Sequence, residues 1–502
     1  MVRPSNYHQN QVNVAQGLRA AADQVRLMLG PLGRHILAED EAGNPVEAAD
    51  VHTFAALYRP ADPGDRLGAS YAKDIVEQAH RQAGDGAAVA VVLAQAMVEG
   101  AAAALAAGAH PLALAGGVEA GTALAIEALE SLARPMTSKE QLDAFASAAA
   151  REDSLGELIA EAFDKVGRDG ALIVEEAGKS GLELDVTKGM RLDEGYISPH
   201  FITDPERKVC VLEDPCVLLV NANISADSDL LPILNKVTRS GRPLLIIADD
   251  VEGEALASLA ANSIEVLKSA AVRAPDFGDR RQAILEDIAI LTDAKVIPAG
   301  KLAKANPGML GRVRKAVISQ QETTLMGGAG QPRKIMARVH QVRAAIHSTH
   351  SDSERENLQE RLAKLAGGVA VIKIGAATKA ELKERRERCE RAVRAVRAAA
   401  TEGLLPGGCV SLRAVAGAVS AIAESDDRGA GVRIVAESLE APYAQILANA
   451  GLPERASAGL GVNVLTGAQE DLFEVNIFDS VAVLRSALEA AEDAVIRFLK
   501  VT

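Results

Sequence analysis

Tryptophan is absent from the 502 residues, and tyrosine and phenylalanine occur only 5 and 8 times. With so few aromatics, the cores must be built from Ala, Val, Leu and Ile, which suits many packed helices. Cysteine is scarce too. Cys210, Cys216, Cys389 and Cys409 lack metal-ligand spacing, and so few thiols fit a reduced, cytoplasmic protein. Positive charge is in deficit, with a net charge of −14. That argues against general binding to nucleic-acid phosphates. Residues 1–7 lack an apolar run, so no signal peptide is expected. A long Leu-rich stretch is missing as well. The apolar run from Ala87 to Leu114 is Ala-rich and is broken by Glu99, Gly100, Gly108, His110 and Pro111. It predicts a buried helix of a soluble protein rather than a membrane span. No repeat of solenoid length is present.

What the chain does have is a nested texture. Its length predicts two to four domains. An amphipathic helix is expected from about Asn10 to Leu29, then a hairpin around Gly43-Asn44-Pro45. Helices follow at about 68–82, 86–107, 111–133, 138–150 and 154–166. From Ala171 short strands appear at about 171–175, 182–186, 209–212 and 216–221. Helices and strands then alternate, with helices at 227–239, 252–262 and 279–290 and strands at 243–248 and 266–271. This is the rhythm of an α/β domain. Gly189 and Gly375 stand at the edges of this insert as candidate hinges. A charged helix at 354–366, a strand at 367–375 and a basic helix at 379–400 lead back to helices at 409–423, 430–450 and 480–499.

One stretch carries a chemical suggestion. Gly84-Asp85-Gly86 is a permissive turn running into the apolar helix from Ala87. A helix start favours anions, because its first N–H groups are unpaired and the dipole is positive there. A carboxylate beside bound phosphates needs a cation between them, usually Mg²⁺. Taken alone, the turn is better read as an ordinary turn into a core helix.

Widely separated motifs add to it. They are Leu29-Gly30-Pro31 with Gly33-Arg34, Gly84-Asp85-Gly86 with Val92-Leu93-Ala94-Gln95, and Gly195-Tyr196-Ile197-Ser198-Pro199. Further along come Arg242 to Ala248, Asp250 to Leu256, Phe277 to Arg281, and Leu362 to Gly368 continuing to Thr378. Through these the chain resembles the group I chaperonins, the bacterial GroEL type, along essentially its whole length. The resemblance implies a multidomain α and α/β fold. The helical equatorial domain would be 1–132 with 402–502, the intermediate hinge domain 133–187 with 375–401, and the α/β apical domain 188–374.

The resemblance also implies a ring of like or unlike subunits that binds ATP and Mg²⁺ and takes non-native polypeptides as clients. It leaves a co-chaperonin open and implies neither a nucleic-acid nor a membrane partner. Asp85 matches the Mg²⁺ ligand. Gly30, Pro31, Gly33 and Gly86 match the phosphate cradle, and Gly407 and Gly408 match glycines packed on the nucleotide. Asp479 matches the ribose-binding acid, Asn463 a base-side contact, and Asp50 a carboxylate near the attacking water. Tyr196, Phe201, Leu231, Leu234, Leu256, Ala260 and Ala261 match the polypeptide-binding surface.

The departures cluster on one pocket. The family's threonines after the turn are here Ala87, Ala88 and Val89. The Thr and Lys of its first loop are Met28 and Leu32, the Lys before the water-side Asp is Ala49, and the third glycine of its late loop is Cys409. The catalytic Asp falls on Arg391. Arginine stays protonated and cannot serve as a general base. Glu390 is adjacent, but a shift of one residue turns it about 100° around the helix. Asp50 is thus the remaining water-side carboxylate. In the client surface, His200 replaces an aromatic, and Ala260 and Ala261 replace larger aliphatics.

Three readings follow: a client-binding chaperonin subunit with weakened or lost ATP turnover, a fully ATP-dependent folding chaperonin, or a structural ring scaffold. A nucleic-acid role for the basic helix is weaker, since its charges spread around the helix.

Overall fold

The computed structural model describes residues 7–40, 43–62, 64–168, 170–177, 181–265, 267–349, 351–453 and 460–500. Residues 1–6 of the stretch read for a signal peptide lie outside these. The chain forms two compact units, residues 1–160 with 383–502 and residues 161–382. The boundaries fall inside helices Asp153–Val166 and Lys379–Glu402.

The first unit is helical. Its helices are Tyr7–Val25, Asp65–Ala83, Ala87–Ala106, Pro111–Leu132, Lys139–Ala150, Val410–Ser420, Asp427–Ser438, Ala441–Asn449 and Val481–Lys500, with the short Val51–Leu57. Ala87–Ala106 and Pro111–Leu132 are long and apolar enough to cross a membrane by length and composition. Here they are core helices: Leu93, Met97, Leu114 and Leu129 have no exposed surface. The terminal helix Val481–Lys500 packs on both. The long helix expected over 430–450 is divided. Asp427–Ser438 ends, and Pro442 lies in the first turn of Ala441–Asn449. Proline has no N–H to continue a preceding helix but suits the first turn of a new one.

Small residues let these helices approach very closely. A Cβ on Gly68 would lie 2.1 Å from the Leu18 nitrogen, and one on Gly17 would lie 2.3 Å from the Asp65 oxygen. Helices Pro111–Leu132 and Asp427–Ser438 meet in the same way. A Cβ on Gly117 would lie 1.9 Å from the Arg428 oxygen, and one on Gly431 would lie 2.3 Å from the Leu114 oxygen. With few aromatics to fill wide gaps, the core gains its density by bringing backbones together.

The second unit is built on one mixed sheet. Its strands run in the order Ala171–Glu176, Gly368–Gly375, Gly181–Leu192, Thr323–Gly328, Gly311–Ile318, Cys216–Ile224, Leu244–Val251, Ser269–Arg273. Cys210–Glu213 pairs with Gly311–Ile318, and Val296–Pro298 pairs with Cys216–Ile224. The last three strands of the main order are parallel, in register Cys216↔Leu244 and Leu244↔Ser269. Leu244, Leu245, Ile246 and Ile247 are fully buried, the continuous apolar run of a strand covered on both faces. Gly189 lies inside a continuous strand, and its packing explains it. A Cβ there would lie 2.3 Å from both the Leu325 oxygen and Val369 Cγ2. Strands Gly311–Ile318 and Thr323–Gly328 and helix Pro332–Ser348 have no counterpart among the expected elements.

The glycine crossing is testable with a matched pair. Gly117→Ala inserts a methyl against backbone, so it should destabilise by roughly 2 kcal/mol or more. Gly116→Ala, one residue along with nothing within 4 Å of its added carbon, should be neutral or stabilise by up to about 1 kcal/mol. Denaturant unfolding of both variants checks this, and equal effects would refute the packing account.

Candidate functional site

The Gly84-Asp85-Gly86 turn joins helix Asp65–Ala83 to helix Ala87–Ala106. Gly84 and Gly86 both adopt left-handed conformations, at φ 74° and 88°. Such angles are cheap only for glycine. Asp85 is exposed, and its Oδ1 accepts the Gly86 N–H at 2.7 Å. The helix that follows has no side-chain cap, and the residues of its first turn are Ala87, Ala88 and Val89.

Asp50 caps helix Val51–Leu57 and accepts the Thr53 N–H at 2.9 Å and the Thr53 hydroxyl at 3.2 Å. Its second partner is Arg391, whose Nη2 lies 3.4 Å from Asp50 Oδ2. Both side chains are largely buried, with 19% and 16% of their surface exposed. Burial alone would push the Asp50 carboxyl up. The Arg391 charge and the two Thr53 bonds outweigh it and hold the carboxyl below the usual range. Asp50 is therefore an ionised group already engaged by a cation.

The helix carrying Arg391 touches the turn through its backbone. A Cβ on Gly84 would lie 3.0 Å from the Arg391 oxygen and 2.9 Å from Arg394 Cβ. Arg394 Nη2 lies 3.1 Å from His80 Nε2. Arginine only donates, so Nε2 accepts and the His80 proton sits on Nδ1. His80 stacks near His52, at 4.7 Å between ring centroids. Burial, then the positive charge of Arg394, pushes its pKa down to about 3 and keeps it neutral. His52, His80 and Arg394 were missed as neighbours of the turn. Their signals were weak: His52 is two residues past Asp50, His80 four before Gly84, and Arg394 one helical turn past Arg391.

Asp479 lies within electrostatic reach of Asp85. Its Oδ2 accepts the Cys409 N–H at 2.7 Å, and Gly408 N–H helps to hold it. Burial, reinforced by the charge of Asp85, nonetheless pushes its carboxyl up to about 6. Gly408 and Cys409 are both left-handed, at φ 68° and 61°, and the Gly407 N–H donates to the Ile477 oxygen at 2.9 Å. The electrostatic reach of Asp85 to Asp479 and the backbone contact of Gly84 with Arg391 thus join three separate segments.

The remaining expected residues have more local company. In the first loop, Gly30 (φ 85°) packs on Ile446, the Gly33 N–H donates to the Gly30 oxygen at 3.0 Å, and Pro31 is exposed. Asn463 lies in the hairpin Gly461–Asn463/Ala468–Glu470. Its amide donates to Glu470 at 2.9 Å, and its oxygen accepts the Leu465 N–H at 3.1 Å. In the sheet unit Leu231 and Ala261 are exposed, while Tyr196, Leu256 and Ala260 are half-buried. Phe201 has no exposed surface and Leu234 has 4%. Both belong to the core under that surface, because the amphipathic period of helix Asp227–Thr238 turns Leu234 inward with Leu230 and Ile233. Among the described residues, no group of three or more His, Cys, Asp or Glu is arranged to hold a metal.

The pKa of Asp479 gives a signed expectation. A carboxyl raised from 3.8 to about 6 favours the folded state below its unfolded pKa, and that advantage is lost as pH rises through about 6. Asp479→Asn should therefore stabilise the ligand-free protein at pH 8, by on the order of 1–2 kcal/mol, and give no gain at pH 4. Thermal unfolding at the two pH values checks this; equal shifts at both would contradict it.

Comparison with known proteins completes the picture. The chaperonin gp146 of bacteriophage EL 2 (Pseudomonas aeruginosa), crystallised in the presence of ATP-BeFx, superposes with a TM-score of 0.73. It is 19% identical, and the match covers 98% of this chain and 96% of that one. This likeness shows the shared fold. The sequence pattern of the TCP-1/cpn60 chaperonin family matches residues 22–502. The chain belongs to the TCP-1/cpn60 chaperonin family.

Proposed function

We propose that this chain is a ring-forming chaperonin subunit of the group I type that binds non-native polypeptides and assists their folding, binding Mg²⁺–ATP but hydrolysing it poorly. The observation that carries the reading is the Arg391–Asp50 ion pair beside the Gly84 turn. On this reading residues 1–132 with 402–502 act as the equatorial domain, 133–187 with 375–401 as the hinge domain, and 188–374 as the apical domain.

The residues present fit part of a nucleotide site. Asp85 is an exposed carboxylate beside an uncapped helix start, which suits Mg²⁺ held by one carboxylate and phosphate oxygens. Gly86 allows the left-handed turn, and Val483 packs where its Cβ would lie, with Cγ1 at 2.8 Å. The Asp479 carboxylate, already oriented by Cys409 N–H, suits a ribose hydroxyl. Bound ATP would supply a triphosphate whose hydrolysis needs an activated water. That is where the fit ends. Arg391 cannot take a proton, Asp50 is engaged by it, and no hydroxyl follows the turn. The phage chaperonin of the same fold was crystallised with an ATP analogue complex, which supports binding without bearing on turnover here.

A second reading, a structural ring scaffold, is favoured by the small apolar surface expected for clients. Of its seven residues only Leu231 and Ala261 are exposed. Suppression of aggregation of a chemically unfolded test protein separates the two. Dose-dependent suppression supports client binding, and none at all supports the scaffold.

For the nucleotide part, calorimetry should detect Mg²⁺–ATP binding that Asp85→Asn abolishes. Steady-state turnover should be low in the parent and rise about a hundredfold in Arg391→Asp, the scale of general-base catalysis. Parent turnover equal to that of the variant would defeat the proposal.

A further inference from the structure

Helix Lys379–Glu402 is fastened to the helical unit at successive turns. Arg385 and Arg388 both engage Glu152, Arg385 through Nε at 3.1 Å. One turn on, Arg391 meets Asp50 at 3.4 Å. A further turn on, Arg394 meets His80 at 3.1 Å. The segments so gathered are themselves tied, since Arg151 Nη1 donates to the Ala49 oxygen at 3.3 Å. At the centre, the absence of a Cβ on Gly84 lets the turn touch the helix backbone. Each of these contacts is made between side chains and backbone of the helical unit itself.

We infer that the Arg391–Asp50 ion pair is a latch that keeps helix Lys379–Glu402 docked on the Gly84-Asp85-Gly86 turn without nucleotide. Arg391 is then a positioning residue. Where an acid at this place would be repelled by Asp50 and would need a cation or phosphate-bound metal to settle beside it, an arginine is drawn in by Asp50 directly. Docking becomes the resting state of the helix, and ligand binding has little left to induce. The docking stands without the nucleotide reading. Its consequence, a helix position uncoupled from ATP, rests on that reading.

Other forces also hold this helix. Cys389, Ala392, Val393 and Val396 are buried, and Glu152 binds two arginines. The latch is therefore tested by variants that remove its charge and leave the rest. Asp50→Asn keeps an acceptor for the Thr53 N–H, since Asn caps helices as well as Asp does. Arg391→Gln removes the cation, and Arg391→Lys retains it. Amide hydrogen exchange is followed on the full chain without nucleotide, over residues 384–397.

Asp50→Asn and Arg391→Gln should each speed exchange there about tenfold, and the double variant should be no faster than either single, because both remove one interaction. Arg391→Lys should restore most of the protection, and amides of Val51–Leu57 should stay unchanged in Asp50→Asn. Parent-like exchange in both single variants, or fully additive effects in the double, would overturn the latch and assign docking to apolar burial. Mg²⁺–ATP calorimetry on the same samples judges the other proposal separately: no binding by the parent, with the exchange result intact, removes the nucleotide reading and leaves the latch.

Discussion

A carboxylate withdrawn from water must find a cation, accept hydrogen bonds or hold its proton, and three aspartates around the Gly84 turn meet this constraint in three ways. Asp50 is paired with Arg391 and stays ionised below its usual range. Asp479 has backbone N–H donors but no paired cation among the described residues, and it is pushed up to about 6. Asp85 remains exposed. The turn is thereby asymmetric. Its Asp50 side is neutralised from within the protein, and its Asp85–Asp479 side carries two acids that feel each other. On the proposed reading a divalent cation would relieve the second side, while the first already holds Arg391. This asymmetry underlies both proposals made for the chain.

The scaffold that holds these aspartates follows from the composition. Without tryptophan and with few other aromatics, the helical unit packs by bringing backbones together at glycines. The same device recurs at the site, where Gly84 meets the Arg391 carbonyl. Close backbone contact fixes positions more tightly than side-chain contact does, because no rotamer can adjust. The ion pair between Arg391 and Asp50 is accordingly positioned by the packing around it, and a pair whose geometry is already set loses less entropy on forming than an exposed one.

The sequence was most readable where period and punctuation agree. The helices from 65 to 166 and the parallel strands from 216 to 273 lie within a few residues of expectation, because each has one apolar period and clear Gly, Pro or Ser boundaries. The reading failed where signals compete. The apolar period runs through 430–450, yet Pro442 starts a second helix. Strands Gly311–Ile318 and Thr323–Gly328 carry Arg, Lys and Gly at positions that only their cross-strand partners explain. In the site, Asp85 stood out in its Gly-Asp-Gly turn, and positions 50, 391 and 479 were singled out only by the resemblance to the family. The pairing of Arg391 with Asp50 was not, since it joins positions 341 residues apart through the tertiary fold. Phe201 and Leu234 show the same limit: an apolar residue in a strand–helix domain fits a surface or a core equally well until its neighbours are placed.

The several departures from the family pattern around the turn share one direction. On the proposed reading, Arg391 in place of an acid reverses the charge facing Asp50, and Ala87, Ala88 and Val89 in place of hydroxyls remove donors to phosphate. On the proposed reading, each change alone would weaken the response to nucleotide. Together they replace it, because the charge that a ligand-bound metal would bring to this side of the turn is already supplied by the guanidinium. A helix held by a ligand moves when the ligand turns over. A helix held by Arg391 must open that ion pair to move, so a contact within the protein adds to the barrier set by burial and the Glu152 contacts.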